Sequence, residues 1–432
     1  MQEINILNYF NESRDLFVPN YNQNIFMTIP TAFKMLNINV IDRKNLFDNK
    51  ACRQMLDENE CLDAENVINI IVDSVGIQQF PLAERLYKIY KRLNGTVLSS
   101  IFPTITSAAI PSIHFGLPPE RHGIMGHKIL FPHLGCIVDT LKMASVNAPS
   151  FDMLYRSGID VKLLLLERGI YNLLNEENVL HAELLPWEIA GTGLSHLFET
   201  EKISIGYSDI IDGFALAKRI LEKYEGRKTL INIYVSLMDS MSHIYGPYSE
   251  EYKYAISHLE NTILNFIKRL NDNIAKKSVI TIFSDHGQDG LEQEKKIMVT
   301  ETEIEEVSPF LRFPPGRSGR VMHFYVKEGC SQDVVDWLTK KVGDNGLALT
   351  FKEIQKRLLP EAKDLDIIQS RVGDVVLIMR KGAEMKMEKE EEENKVEIIE
   401  KTFLGSHGSI TFNEMMVPYL ASNINILKGS IE

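Results

Sequence analysis

Apolar residues along the chain fall into four continuous runs that predict buried strands. The runs cover 67–72, 96–102, 230–237 and 278–283 and contain many β-branched residues. Continuous apolar runs of this length are typical of strands covered on both faces, as in parallel sheets. The pattern therefore predicts an α/β fold with a mostly parallel sheet.

Polar residues that can carry chemistry follow each of these runs. They are Asp73 after the first run, Thr106 after the second, Asp239 after the third, and Asp285 and His286 after the fourth. Ligands of open α/β sheets bind beyond the carboxyl ends of the strands. We therefore expect these side chains to meet at one edge of the sheet.

Segments between the runs show the spacing of helices. Apolar residues recur on one face over 82–93 and over 248–270, and a helix can begin directly after Thr106 and extend to Phe115. Helices of this kind cover the faces of a sheet as its crossover connections. The prediction is a sheet with helices on both sides.

The pattern changes after residue 292. Strand-like segments at 320–326 and 374–379 flank a helix-like segment at 334–342, which indicates an inserted α+β cap over 293–401. We predict an N-terminal extension over 1–60 packed on a catalytic core of 61–292 and 402–432. The glutamates of 388–393 are interpreted as a solvated or disordered loop, because charge blocks rarely form sites.

Composition narrows the class of protein. The 432 residues carry a net charge of −12, with 44% hydrophobic and 25% charged residues. The acidic balance argues against stable nucleic-acid binding, and no apolar run is long enough to span a membrane. Four cysteines without CxxC spacing suggest neither disulfides nor a thiolate zinc site. With no secretory pattern at the N-terminus, we expect a cytosolic protein.

Two acid–histidine pairs are candidate metal ligands. Asp239 and His243 are four residues apart, so on a helix they share a face and can hold one ion. Asp285 and His286 follow a strand directly, and Gly287 permits a sharp turn. Taken alone, each pair is as readily explained as a cap, a surface residue or a polar turn.

Thr106 is a candidate nucleophile or helix cap. Its position between a strand and a helix places it beside free backbone N–H groups, which suit a phosphate or sulfate. An N-cap role is the simpler alternative. A threonine hydroxyl also needs a base or a metal to react at neutral pH.

Four sequence blocks resemble the alkaline phosphatase superfamily, in particular its nucleotide pyrophosphatase/phosphodiesterase branch. In chain order they are FPTITSAAIPSIHFGLPPERHGIMG over 102–126, YVSLMDSMSHIYGPYS, FSDHGQ and GSHGSITFNEMMVPYL over 405–420. Each block alone is unspecific, whereas four in this order are specific. The resemblance implies a three-layer core like that of alkaline phosphatase.

The resemblance also implies a two-metal site. Asp73, Thr106, Asp285 and His286 match the positions that hold one zinc ion, with Thr106 as the nucleophile. Asp239, His243 and His407 match those that hold the other. Zinc is the expected metal, with manganese or another divalent ion as the alternative.

Two positions depart from the family pattern. His127 stands where phosphodiesterases of this branch have an asparagine that contacts a phosphoryl oxygen, so we predict that it binds substrate, with a structural role as the alternative. Phe115 and Gly116 replace a Thr-Gly pair at the end of the nucleophile helix. Arg320 and Arg371 could meet an anionic substrate, although a surface position is the expectation for arginine.

The sequence thus predicts a metal-dependent hydrolase that cleaves phosphodiester or pyrophosphate bonds of nucleotide-like substrates through Thr106. Its partner would be a small phosphorylated molecule, and a homo-oligomer is compatible with the sequence. The alternatives are a phosphomonoesterase on the same scaffold and a catalytically silent protein that binds a phosphorylated ligand.

Overall fold

The computed structural model of the protein describes residues 8–10, 15–198, 202–387 and 403–431. The glutamate block at 388–393 lies outside them. Two seven-stranded sheets organise the described chain. The first, called here the central sheet, contains in spatial order Thr96–Ser99, Met416–Asn423, Ser278–Phe283, Asn66–Val72, Thr229–Val235, Leu180–Pro186 and Ile203–Tyr207.

The central sheet is mostly parallel, as predicted. Only Met416–Asn423 runs against its neighbours, Ser278–Phe283 and Thr96–Ser99. Each of the strands Asn66–Val72, Thr229–Val235 and Ser278–Phe283 is buried along its whole length. Continuous apolar runs therefore form the middle of this sheet, where both faces are covered.

A row of polar side chains crosses four neighbouring strands of the central sheet. Thr281 and Asn232 occupy the positions on either side of Asn69, and Glu183 lies beside Asn232. The Thr281 hydroxyl donates to Asn69 Oδ1 at 2.6 Å, Asn69 donates to Asn232 Oδ1 at 2.8 Å, and Asn232 donates to Glu183 Oε1 at 2.7 Å. This polar row is fully buried, so its members satisfy one another.

Helices cover both faces of the sheets. Their bounds are Thr28–Met35, Lys50–Glu58, Glu84–Arg92, Thr106–Phe115, Pro119–His122, Met153–Arg156, Asn172–Glu176, Ile210–Lys223, Leu237–Tyr245, Glu250–Arg269, Asp272–Lys276, Glu301–Val307, Ser331–Val342, Phe351–Leu358, Leu365–Val372, Phe412–Met415 and Ile424–Ile431. No helix in the described part of the chain combines the length and apolarity that crossing a bilayer requires.

The second sheet is antiparallel. In spatial order it contains Gly346–Thr350, Val375–Met379, Val321–Phe324, Gly316–Ser318, Lys128–Phe131, Cys136–Asp139 and Ala144–Ser145. Three two-stranded pairs complete the structure: Asn8–Tyr9 with Phe17–Val18, Asp289–Gly290 with Gly405–Ser406, and Lys296–Val299 with Glu384–Met387.

The second sheet draws on more of the chain than the predicted cap. Its strands between residues 128 and 145 belong to a segment that we assigned to the catalytic core, and they join the rest through the pairing of Lys128 with Arg317. Pairing between segments so far apart in sequence leaves no local signal in either of them. The division of the chain into domains stays a prediction.

The N-terminal region packs on the helix that begins at Thr106. Buried residues of 25–36 and residues Ala108, Ala109 and Ile113 of that helix share one apolar cluster. The described cysteines are unpaired.

A candidate two-metal centre at the edge of the central sheet

Two neighbouring strands bring Asp73, Asp285 and His286 together. Asp73 directly follows the strand Asn66–Val72, and Asp285 and His286 follow Ser278–Phe283, which lies beside it and parallel to it. His286 Nε2 lies 3.5 Å from Asp73 Oδ1 and 3.4 Å from Asp285 Oδ2. All three side chains are buried. We call Asp73, Asp285 and His286 ligand set one.

Thr106 completes that cluster. It is the first residue of the helix Thr106–Phe115, and its Oγ1 lies 3.0 Å from His286 Nε2. The N-cap position of the helix is occupied by Ile105, and no side chain bonds to the cap. The hydroxyl therefore faces the acidic cluster and does not act as a cap.

Asp239, His243 and His407 form ligand set two. Asp239 and His243 lie one turn apart on the helix Leu237–Tyr245, as their spacing predicts. Asp239 Oδ1 is 3.2 Å from His243 Nε2 and 3.4 Å from His407 Nε2. The rings of His286 and His407 stack with centroids 4.0 Å apart, so the two sets adjoin.

All three histidines present the same nitrogen to the cluster. The Nδ1 atoms of His243, His286 and His407 lie 2.8, 3.0 and 2.9 Å from the backbone oxygens of Gly405, Gly287 and Thr104 respectively. A carbonyl oxygen only accepts, so each Nδ1 carries a hydrogen, and in the neutral imidazole Nε2 is the atom whose lone pair can bind a metal. Metal-binding histidines are commonly oriented by such a bond.

The carboxylates also present unsatisfied atoms. Asp73 Oδ1, Asp239 Oδ1 and Asp285 Oδ2 are buried and accept no hydrogen bond. Leaving a buried oxygen unpaired costs about 1–3 kcal/mol, and more when it is charged. Three orphaned oxygens that face three imidazole lone pairs are the donor set that a divalent cation satisfies. The residues therefore fit two metal ions.

Burial and mutual repulsion shift the pKa values of these carboxyls. Burial raises the pKa of Asp285 to about 7. Burial, together with the charges of Asp285 and Asp239, raises the pKa of Asp73 well above its ordinary value. Burial opposes ionisation of Asp239 as well, but His243 and His407 hold its pKa well below the usual range. Bound cations would relieve the crowding of negative charge.

Other contacts hold the carboxylates in place. The Tyr234 hydroxyl donates to Asp73 Oδ2, and the backbone N–H groups of Ser74 and His286 donate to Asp285 Oδ1 at 3.2 and 2.9 Å. We did not predict Tyr234 from the sequence. The available signal was a hydroxyl-bearing side chain inside an apolar run, one residue before the strand ends.

His127 has hydrogen-bond partners outside both ligand sets. It precedes the strand Lys128–Phe131 of the second sheet, and its Nε2 lies 3.1 Å from Asp139 Oδ1. Its backbone N–H donates to Ser318 Oγ at 3.0 Å. Among the residues the structure describes, it makes no hydrogen bond with either ligand set. Its side chain is partly exposed.

The chain is similar to one known protein family in sequence and to several solved structures in fold. The family model described as type I phosphodiesterase / nucleotide pyrophosphatase matches residues 67–410. No curated protein matches the chain.

Several solved structures share the fold. Murine ectonucleotide pyrophosphatase/phosphodiesterase 5 superposes with a TM-score of 0.60 at 19% identity, and the human protein of the same name with 0.59 at 16%; each match covers 82% of this chain and 87% of the other. An inactive threonine-to-alanine variant of the murine protein, in complex with AMP, gives 0.58 at 18% over the same shares.

Proposed function

The chain belongs to the type I phosphodiesterase / nucleotide pyrophosphatase family, and we propose that it hydrolyses its substrate through Thr106, assisted by two zinc ions. It is a hydrolase of the phosphodiesterase type. The observation that carries the proposal is the position of Thr106 Oγ1, 3.0 Å from His286 Nε2, the atom that the orphaned oxygens of Asp73 and Asp285 also approach.

Asp73, Asp285, His286 and Thr106 would hold one ion, and Asp239, His243 and His407 the other. Two divalent cations bound there would supply a Lewis acid for the phosphoryl oxygens and lower the pKa of the threonine hydroxyl. The protein's part is to orient every Nε2 lone pair and to exclude water from the carboxylates. The first backbone N–H groups of the helix Thr106–Phe115 face an anionic group placed at its N-terminus.

In the proposed reaction Thr106 Oγ1 bonds to phosphorus, loses its proton, and the bond from phosphorus to the leaving oxygen breaks. A phosphothreonine results, and the leaving group departs with a proton. Water then attacks phosphorus from the vacated side and regenerates the hydroxyl of Thr106. Each half is an in-line displacement.

The first test is metal dependence. We expect chelated protein to hydrolyse a chromogenic aryl phosphodiester at the background rate, and two equivalents of zinc to restore turnover. Metal content by elemental analysis, measured on the same samples, should rise to two ions per chain. Full turnover by the metal-free protein would contradict the proposal.

A nucleotide is the proposed substrate class. The relative in complex with AMP supports it. The proposed partner is thus a small phosphorylated molecule.

Manganese remains the alternative to zinc as the metal. Cytosolic location and a homo-oligomeric state stay predictions.

His127 is proposed as a substrate contact that favours additional negative charge. Its ring is held at Nε2 by Asp139, and in the doubly protonated ring Nδ1–H can donate to a phosphoryl oxygen. A charge-assisted hydrogen bond is about twice as strong as a neutral one. We expect His127→Asn to slow hydrolysis of an aryl phosphomonoester about 10-fold more than that of the matched diester.

The measurement is the ratio of kcat/KM for a monoester and a diester with the same leaving group. Asp139→Asn serves as the control, because it removes the negative charge beside the ring and leaves the imidazole in place. It should shift the ratio in the same direction by a smaller factor. An unchanged ratio in His127→Asn would remove this residue from the substrate site.

A further inference from the structure

Arg320 is a buried arginine at the end of the second sheet, although we expected a surface position for it. Its side chain is fully buried. Nη1 lies 3.1 Å from both Asp289 Oδ2 and Glu414 Oε2, Nε donates to the carbonyl oxygen of Ala383 at 2.9 Å, and Nη2 donates to that of Arg380. A buried charge is tolerated only when paired and hydrogen-bonded in this way.

The partners of Arg320 surround the segment that carries His407. Asp289 belongs to the short strand that pairs with Gly405–Ser406, directly before His407. Glu414 Oε1 accepts from the backbone N–H of Ser409 at 3.0 Å, just after it. The Arg320 backbone N–H itself donates to the carbonyl oxygen of His407 at 2.8 Å. Arg320 therefore contacts the centre of this segment directly, and its two flanks through Asp289 and Glu414.

The approach of the two segments is as close as backbones allow. Gly319 has φ +59°, and a Cβ at that position would lie 1.9 Å from the carbonyl oxygen of His407. Only glycine permits both the conformation and the contact. The backbone position of His407 is thus set by the turn that also places Arg320.

The His407 ring has little freedom once its backbone is fixed. Its Nδ1 lies 2.9 Å from the Thr104 carbonyl oxygen, and it stacks on His286. We propose that Arg320 is a positioning residue that holds His407 in place, so that the second sheet controls metal binding by ligand set two. The inference rests on the proposed role of His407 as a metal ligand.

The contacts also explain why the cation is arginine. Its acceptors lie in different directions around a planar group, and guanidinium offers five donors in a fixed fork. Lysine has three donors on one nitrogen and cannot reach all of these acceptors at once. Arg320→Lys keeps the charge and should retain part of the metal affinity of ligand set two.

The experiment is a zinc titration of metal-free protein, followed by elemental analysis at defined free zinc. Wild-type protein should bind two equivalents. Arg320→Met should weaken one of them about 10–100-fold and leave the other unchanged, as loss of a partner behind a ligand commonly does. His407→Ala identifies the site concerned, and the double variant should show no further weakening, because both changes act on one ion.

Arg371→Met is the matched control. Arg371 is also buried, but it donates to the carbonyl oxygens of Gly123 and Leu164, which lie outside the 405–414 segment. It should lower stability and still bind two zinc ions with wild-type affinity. If Arg320→Met fails to fold, Glu414→Gln is measured instead, with the same weakening expected.

The outcomes separate the two hypotheses. Fewer than two equivalents in the wild-type protein would overturn the proposed function itself. Two equivalents in the wild type, with wild-type affinity at both sites in folded Arg320→Met or Glu414→Gln, would overturn only the positioning role of Arg320.

Discussion

Thr106→Ala is expected to lower kcat/KM for an aryl phosphodiester roughly 10⁴–10⁶-fold, the size of loss seen when one member of a catalytic unit is removed. The hydroxyl lies 3.0 Å from His286 Nε2 and takes no part in capping its helix. Its loss therefore removes the attacking atom and its hydrogen bond to His286, but no helix cap. Thermal unfolding should shift little, because alanine is a good helix former.

Thr106→Ser is the control, because it restores the hydroxyl on a smaller side chain. It should retain activity within about 100-fold of wild type, since the reacting atom is kept but loses the χ1 restraint of a β-branched residue. The measurement is steady-state hydrolysis at saturating zinc, with metal content checked for each variant. Equal rates for the alanine and wild-type proteins would exclude Thr106 as the nucleophile.

Asp285→Asn should lower turnover of the zinc-loaded enzyme roughly 10³-fold, which corresponds to about 4 kcal/mol of transition-state stabilisation. Asparagine can still accept the backbone N–H bonds of Ser74 and His286 through its oxygen. It lacks the negative charge that ligand set one offers. The loss should therefore appear in activity and metal affinity, with the fold retained.

The same substitution should stabilise the metal-free protein. Burial raises the folded-state pKa of Asp285 to about 7, above the value near 3.8 of the unfolded chain. The unfolded chain therefore loses its proton first, and stability falls as pH rises from about 4 to 7. Above pH 7 the wild-type protein bears the full cost of an ionised, buried Asp285. Metal-free Asp285→Asn should therefore be about 2–4 kcal/mol more stable than metal-free wild type at pH 8.

Urea unfolding of chelated wild-type and Asp285→Asn proteins tests this sign. The difference in unfolding free energy should be largest at pH 8 and shrink towards pH 5. Asp139→Asn is a useful comparison, because the pKa of Asp139 is lowered by His127 and Lys142 despite burial. That variant should lose stability at pH 8. A destabilised metal-free Asp285→Asn would show that the charge of this carboxylate is balanced within the protein.

The centre of the sheet could be predicted because its strands are continuous apolar runs. The run at 278–283 matches the strand Ser278–Phe283, and the run at 67–72 differs from Asn66–Val72 by one residue. We missed Leu180–Pro186 because His181 and Glu183 interrupt its apolar pattern. In the folded chain these two residues pair with each other, with His181 Nε2 2.7 Å from Glu183 Oε1.

The candidate site was predicted residue by residue, and the structure brings the seven predicted metal ligands together, whereas His127 makes no hydrogen bond with them in the described part of the chain. Their role as metal ligands stays a prediction. The surrounding contacts could not be predicted, because they join distant segments. Arg320 was expected at the surface from the usual preference of arginine, whereas its carboxylate partners Asp289 and Glu414 come from elsewhere in the chain.

The polar row across the central sheet has a consequence for engineering. Thr281 and Asn69 lie side by side, and each stands four positions before an aspartate of ligand set one, Asp285 and Asp73. A shift in the register of either strand would leave polar side chains of this row without partners in an apolar interior. Each unpaired group would cost about 1–3 kcal/mol. A designer who transplants this centre into another scaffold should therefore transfer the polar row with it, because the row fixes the register that places the two carboxylates side by side.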